Sequence, residues 1–116
     1  MKTPLDRLRA LADMVRDAEL AKLRRLQDTR HSVERAQADL RLAQRDVDAG
    51  DDVDPACLAT SRGPWLSWAE QRNQALSLQG ARAAADAEIQ IVAARKALGR
   101  AQVLEKLAQA ARKPVK

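Results

Sequence analysis

Few residues in this sequence could carry out catalysis. The 116-residue chain contains one histidine, His31, and one cysteine, Cys57. Catalytic pairs and zinc sites need several such side chains that converge on one point, and the sequence also lacks a glycine-rich phosphate loop and a nucleophile elbow. We expect His31 to be a surface residue and Cys57 to be a free thiol in a loop. The sequence therefore predicts a protein that is not an enzyme and that has no catalytic, metal or cofactor site.

A run of aspartates raises the question of a calcium site. Its members are Asp46, Asp48, Asp51, Asp52 and Asp54. An EF-hand loop that began at Asp46 would need a glycine at its sixth position and a glutamate at its twelfth. The sequence has Asp51 and Cys57 at those positions. A solvated acidic turn is the better interpretation.

Trp65 and Trp68 are the only aromatic residues in the chain. They are three residues apart at the predicted start of a helix, so they lie near one face of it. They could anchor the turn against Val47 and Leu42. Alternatively, they could form the hot spot of a partner-binding surface, a role for which exposed tryptophans are well suited. Arg72, one turn after Trp68, would then supply the polar rim.

The element that dominates the chain is a long amphipathic helix. A repeat of alternating three and four residues runs from residue 5 to residue 47, and ten of its thirteen positions are apolar. No glycine or proline interrupts it, so the pattern predicts a coiled-coil seam with a slip of register at Glu19 and Lys22. The seam consists of Leu5, Leu8, Ala12, Val15, Glu19, Lys22, Leu26, Thr29, Val33, Ala36, Leu40, Ala43 and Val47.

The first helix is predicted over residues 4–48. Thr3 can cap it with its hydroxyl, Pro4 suits the first turn because its missing N–H has no partner there, and Asp6 favours the positive end of the helix dipole. Gly50 is a natural stop.

Residues 49–64 have the composition of a turn, in which Pro55 could begin one short helical turn through Leu58 and Ala59, and Gly63 and Pro64 open the next helix. A second helix is predicted over residues 65–112, with Ser67 and Glu70 as a candidate capping box.

The second helix has two apolar faces, which predict two neighbours. Its main face is expected to hold the larger side chains, interrupted by Arg82, Lys96 and Arg100. This face comprises Trp68, Ala75, Leu78, Ala85, Ile89, Val92, Val103 and Leu107. The second face comprises Leu76, Ala83, Ala87, Ile91, Ala94, Leu98 and Ala101. Gly80 either weakens the helix or marks a point of close packing.

Composition indicates an all-α fold. Strong helix formers dominate the chain, and 24 of its residues are alanine. The predicted architecture is a single domain, a long antiparallel two-helix coiled-coil hairpin over residues 1–116. Because alanine buries little apolar area, the core is expected to be thin, and a second copy or a partner should cover what stays exposed. The turn favours a hairpin over a continuous helix, although a homodimer stays open.

Charge points to an acidic protein partner. The formal net charge is +5, and residues 65–116 carry nine Lys/Arg against four acids. Nucleic-acid recognition usually adds stacking aromatics or a compact basic cluster, so we expect no nucleic-acid binding. The sequence has no apolar run long enough for a transmembrane helix and no signal-peptide pattern. We therefore expect a cytoplasmic protein without membrane insertion.

The whole chain resembles the FliJ family of flagellar type III export proteins and the related YscO-type injectisome stalks. The resemblance rests on an N-terminal amphipathic helix with leucine-arginine texture in residues 5–9 and 20–26, Ala/Gln/Arg-rich repeats in residues 33–43, an interrupted turn, and a second long helix with a basic end. It implies a non-enzymatic, coiled-coil accessory stalk that binds an export ATPase hexamer and an export gate protein and assists export chaperones.

By the same resemblance, the two helix ends distant from the turn, at residues 5–15 and 103–112, would enter the ATPase ring. Trp65, Trp68 and Arg72, near the turn, would be candidates for contact with the export gate. The partner-binding residues expected at the helix ends are Leu8, Leu11, Val15, Val103 and Leu107.

Overall fold

The computed structural model describes residues 3–49 and 55–112, with side chains described over 3–49 and 62–112. The fold is all-α, with α1 at Pro4–Asp48 and α2 at Pro55–Arg112. The two helices contact each other, which confirms the predicted two-helix hairpin. The aspartates at 51, 52 and 54 and the stop at Gly50 lie outside the described residues.

A capping box fixes the start of α1. The Thr3 Oγ1 atom accepts a hydrogen bond of 3.1 Å from the Asp6 backbone N–H, and the Asp6 carboxylate accepts one of 3.2 Å from the Thr3 N–H. These hydrogen bonds with Thr3, together with the nearby Arg112 guanidinium, lower the pKa of Asp6. The helix runs without a break to Asp48, so both predicted ends of α1 are confirmed.

The start of α2 was predicted wrongly. The helix begins at Pro55, not at residue 65, and Pro64 lies inside it. A proline inside a helix removes one backbone hydrogen bond, at a cost of about 3 kcal/mol. On either side of Pro64, Arg62 forms an ion pair of 2.6 Å with Asp48 and Trp65 is half-buried.

Two predictions for this region, the turn over residues 49–64 and the capping box of the second helix, are therefore corrected. Residues 55–64 belong to a helix. Ser67 and Glu70 lie inside that helix and cannot cap its start.

The chain divides into two compact units. The terminal unit combines Met1–Gln27 with Ala85–Lys116. In it, Asp6 contacts Arg112 at 3.4 Å and Arg9 contacts Glu105 at 3.7 Å, so α1 and α2 run antiparallel. Deeper in the same unit, the Gln90 side-chain amide donates to the Glu19 backbone carbonyl at 2.9 Å and also to the Glu19 carboxylate.

The central unit is Asp28–Ala84, and its helices are also antiparallel. The Gln37 amide donates to Asn73 Oδ1 at 3.4 Å and to Ser77 Oγ at 3.0 Å. A Cβ atom built on Gly80 would lie 3.2 Å from Val33 Cγ1. Gly80 is therefore a point of close packing against Val33, the one buried residue of α1.

Alanines, with Leu76 as the one larger residue among the buried side chains described, form the face of α2 that packs on α1. The buried residues of α2 recur at intervals of three, four or seven: Ala69, Leu76, Ala83, Ala87, Ala94, Ala97, Ala101 and Ala108. Small side chains at this spacing let the two helix backbones approach closely.

The main apolar face of α2 is not the face that packs on α1. Six of its residues are more than half exposed: Trp68, Leu78, Ile89, Val92, Val103 and Leu107. The face that was ranked second supplies Leu76 and four of the buried alanines.

The predicted seam of α1 is correct in its second half and partly wrong in its first. From Leu26 to Val47 its members are half-buried or buried. In the first half, Leu8 and Val15 are 51% and 42% exposed. Arg9 and the neighbouring Arg16 are half-buried instead, because their aliphatic stems can cover small side chains while the charged heads reach carboxylates.

Candidate partner-binding surface

An apolar groove lies between α1 and α2 within the terminal unit. Its volume is about 790 Å³, and most of the side chains along it are apolar. We call it the terminal groove, and it is lined by Leu8, Leu11, Ala12, Val15, Lys96, Ala97, Gly99, Arg100, Val103 and Leu104.

Helical spacing places these side chains in two stripes. On α1, Leu8, Leu11 and Val15 stand at positions i, i+3 and i+7, which share one face of a helix. On α2, Lys96, Arg100 and Val103 stand at i, i+4 and i+7. Arg9 contacts Glu105 of α2 at 3.7 Å, whereas Leu8, Leu11 and Val15 are exposed.

The apolar lining of the groove is largely open to solvent. Leu11 and Val103 are each 56% exposed, Leu8 is 51% exposed and Val15 is 42% exposed. Contiguous exposed side chains of this size mark interaction surfaces. Covering them would be favourable, since full burial of one Leu or Val side chain is worth about 1.5 to 3 kcal/mol.

Two cations lie on the α2 side of the groove. Neither Lys96 nor Arg100 forms an ion pair with another residue that the structure describes. Among the described residues, no carboxylate lines the terminal groove. The nearest acid on the following turn of α2, Glu105, contacts Arg9 at 3.7 Å. The groove therefore combines an apolar floor with a positive rim.

The structure brings together four of the five partner-binding residues expected at the helix ends. Leu8, Leu11, Val15 and Val103 all line the terminal groove. Leu107, one turn beyond Val103, is 52% exposed and does not line the groove.

Trp65, Trp68 and Arg72 belong to the central unit. The two indole rings form a tilted pair, with centroids 6.4 Å apart and an angle of 47° between their planes. Trp65 is half-buried, whereas Trp68 is 55% exposed. Leu42, one of the two residues expected to hold them, is itself 55% exposed. Arg72 is exposed beside them, so Trp68 and Arg72 offer a second small surface.

Sequence reasoning missed the role of Lys96 and Arg100. It treated them as interruptions of an apolar face, whereas both line the groove. Their spacing was the available signal: two cations one turn apart, followed three residues later by an exposed valine, put charge and apolar surface side by side.

The polar residues singled out for chemistry do not converge. His31 is exposed, and its Nδ1 atom lies 3.7 Å from the Glu34 carboxylate. In the part of the chain that the structure describes, no group of His, Cys, Asp and Glu side chains could hold a metal ion. Cys57 lies in α2 and not in a loop as predicted, and its side chain lies outside the described part.

Within the described ranges, neither helix has an apolar stretch long enough to span a bilayer. Comparisons with protein-family models, with curated proteins and with solved structures give no match. The terminal groove is accordingly the feature from which a function is best inferred.

Proposed function

We propose that this protein is a non-enzymatic accessory stalk of a flagellar or type III export ATPase. The observation that carries the proposal is the terminal groove, where Leu11 and Val103 are each 56% exposed. A helical pair that leaves its larger apolar side chains in water gains stability when a partner covers them. The resemblance of the sequence to FliJ-type stalks names the partner, an ATPase hexamer in the cytoplasm.

In this proposal the two units have different partners. The terminal unit binds the ATPase ring through Leu8, Leu11, Val15, Val103 and the neighbouring Leu107. Trp68 and Arg72, which are exposed in the central unit, contact the export gate, with Trp65 supporting Trp68 at 6.4 Å. Handling of substrate chaperones follows from the same resemblance.

The test measures ATP hydrolysis by the cognate hexamer with and without this protein. We expect the wild-type chain to raise the rate, and the double variant Leu11→Asp, Val103→Asp to fail because charges on the groove floor oppose burial. Met14→Asp is the matched control, since Met14 is on the same helix, is 68% exposed and does not line the groove. Circular dichroism verifies that each variant folds.

Two results would count against the proposal. One is an unchanged hydrolysis rate under conditions that assemble the ring. The other is equal stimulation by the wild-type chain and by the folded groove variant.

A second candidate function is a dimerising structural coiled coil or adaptor. Ile89 and Val92 favour it, because they are 71% and 52% exposed and lie outside the terminal groove. Under this reading the mass in solution is that of a dimer and Ile89→Asp makes it monomeric. Trp65→Ala would then lower the free energy of unfolding and would have no separate effect on the affinity for a partner.

A further inference from the structure

We infer that the terminal groove binds an amphipathic helix whose polar flank is acidic. The inference rests on the proposed function, because it gives the chemistry of the partner at the same surface. It does not depend on the partner being an ATPase.

The dimensions of the groove suit a helix of a few turns. On α1 the lining extends from Leu8 to Val15, and on α2 from Lys96 to Leu104. At a rise of 1.5 Å per residue these segments are about 10 Å and 12 Å long. Helices that dock into such grooves insert apolar side chains at i, i+3 or i+4, and i+7. Two turns of an incoming helix would cover the exposed leucines and valines.

The two cations on the rim of the groove, Lys96 and Arg100, favour a partner that carries negative charge. Lys96 and Arg100 are four residues apart, hence about 6 Å along the helix axis, and neither forms an ion pair with a described residue. Two acids one turn apart on the incoming helix would meet both cations. Charge-assisted hydrogen bonds to Arg and Lys are stronger than neutral ones, whereas basic residues at those positions would be repelled.

A second copy of this chain is a poor occupant. Residues 3–27 and 85–112 of the terminal unit carry eleven Lys/Arg against seven Asp/Glu. Pairing two terminal grooves would bring Lys96 and Arg100 of one copy toward a surface of the same sign, which costs binding free energy.

Nucleic acid is also disfavoured as the occupant. Its binding commonly uses aromatic side chains on which bases stack, and both tryptophans belong to the central unit. An acidic helix satisfies the apolar floor and the positive rim together.

The test uses the full chain and two labelled synthetic peptides of about 18 residues, or five helical turns. Both carry leucines at i, i+3, i+7 and i+10. One has glutamate and the other lysine at the flanking positions. Fluorescence anisotropy near physiological salt should give at least about tenfold tighter binding of the glutamate peptide.

Variants of the full chain separate the two parts of the site. Lys96→Glu with Arg100→Glu should reverse the peptide preference, and Leu11→Asp should weaken both peptides. Met14→Asp, outside the groove, should bind like the wild-type chain.

Equal affinity for the two peptides would overturn the inference. Two other results would also overturn it. One is a preference for the glutamate peptide that remains when Lys96 and Arg100 are both replaced by glutamate. The other is self-association of the chain that Leu11→Asp abolishes, with no binding of either peptide. The experiment contains no ATPase, so selective peptide binding without stimulation of hydrolysis would keep the inference and remove the proposed function. Stimulation of ATP hydrolysis by a chain that binds both peptides equally would remove the inference and keep the proposed function.

Discussion

At the scale of single residues, Glu19 and Gln90 form a polar contact between helices whose other contacts are mainly apolar. Gln90 donates to the Glu19 carboxylate, and this hydrogen bond, with a smaller contribution from Lys22, lowers the pKa of Glu19. Lys22 lies 3.5 Å from the same carboxylate. The contact therefore favours the ionised form of Glu19.

The lowered pKa predicts how stability depends on pH. A carboxyl whose pKa is lower in the folded state stabilises the fold above its unfolded pKa, about 4.3 for glutamate, and loses that contribution as the pH falls through the folded value. The variant Glu19→Gln cannot titrate. Urea unfolding between about pH 6 and pH 3 should therefore show a smaller loss of unfolding free energy for Glu19→Gln than for the wild-type chain. Equal losses would exclude the contact with Gln90 as a source of pH dependence.

Gly80 and Gly99 should respond differently to alanine. Both lie inside α2, where alanine is favoured over glycine by about 1 kcal/mol. A Cβ atom at Gly99 meets nothing within 4 Å, whereas one at Gly80 would lie 3.2 Å from Val33 Cγ1. We expect Gly99→Ala to stabilise the protein by about 1 kcal/mol and Gly80→Ala to give less or to destabilise it.

A double-mutant cycle isolates that contact. With Val33→Ala in the background, the crowding atom is gone and Gly80→Ala should recover most of the helix-propensity gain. Denaturant unfolding of the four chains measures the coupling. A Gly80→Ala effect that is independent of residue 33 would contradict the close packing.

At the scale of elements, α1 was predictable from its ends. Thr3, Pro4 and Asp6 are the residue types that start a helix, and the structure has their capping hydrogen bonds. For α2, Pro55 could be read as the start of one short helical turn, but its continuation into the long helix was not predictable, because Gly63 and Pro64 are read as helix breakers. Their cost is local and limited, and contacts such as the Arg62 to Asp48 ion pair at 2.6 Å are invisible in the sequence.

Which face of α2 is buried also escaped sequence reasoning. A ranking by hydrophobicity selects Ile89, Val92 and Val103, yet these are exposed. The face that packs on α1 contains buried alanines together with the half-buried Gly80 and Gln90, which look like interruptions of an apolar pattern. The small size of the side chains, and not their apolar area, determines which face of α2 packs on α1. From the residue pattern, Leu8 and Val15 were assigned to the seam of α1 and Val103 to the main apolar face of α2. Only the resemblance named them as candidates for partner binding, and it did so without their cationic neighbours in the terminal groove.

Substitutions on the two faces of α2 should differ in their effect on stability. Ala94 is 5% exposed and Ile89 is 71% exposed. Enlarging the first with Ala94→Leu should destabilise by about 1 to 3 kcal/mol, because the helices must separate. Removing the second with Ile89→Gln should change stability by no more than about 0.5 kcal/mol. Chemical unfolding measures the free energy of unfolding of both variants. A larger loss for Ile89→Gln than for Ala94→Leu would contradict the packing of α2.

At the scale of the whole molecule, the core is thin. Nine residues are buried among those described, and seven of them are alanine. No large side chain in the described ranges is fully buried. Since the hydrophobic contribution follows apolar area, little stabilisation comes from within the chain, and a partner on the exposed faces has much to add.

Binding should therefore raise stability measurably. A ligand that binds only the folded state adds about 2.7 kcal/mol when its concentration is 100 times its Kd. We expect the glutamate peptide at that concentration to stabilise the wild-type chain by this amount in thermal unfolding, and the Leu11→Asp variant by much less. Equal stabilisation of both chains would place binding outside the terminal groove.

The central claim is that α2 buries its alanine face and leaves the larger residues of its main apolar face, such as Ile89, exposed. Thiol labelling tests this most directly. In chains with Cys57→Ser, a single cysteine is introduced as Ile89→Cys or as Ala94→Cys, and alkylation rates are compared with those in denaturant. We predict rapid alkylation at position 89 and strong protection at position 94. Alkylation at position 94 as fast as at position 89 in the folded chain would contradict the account.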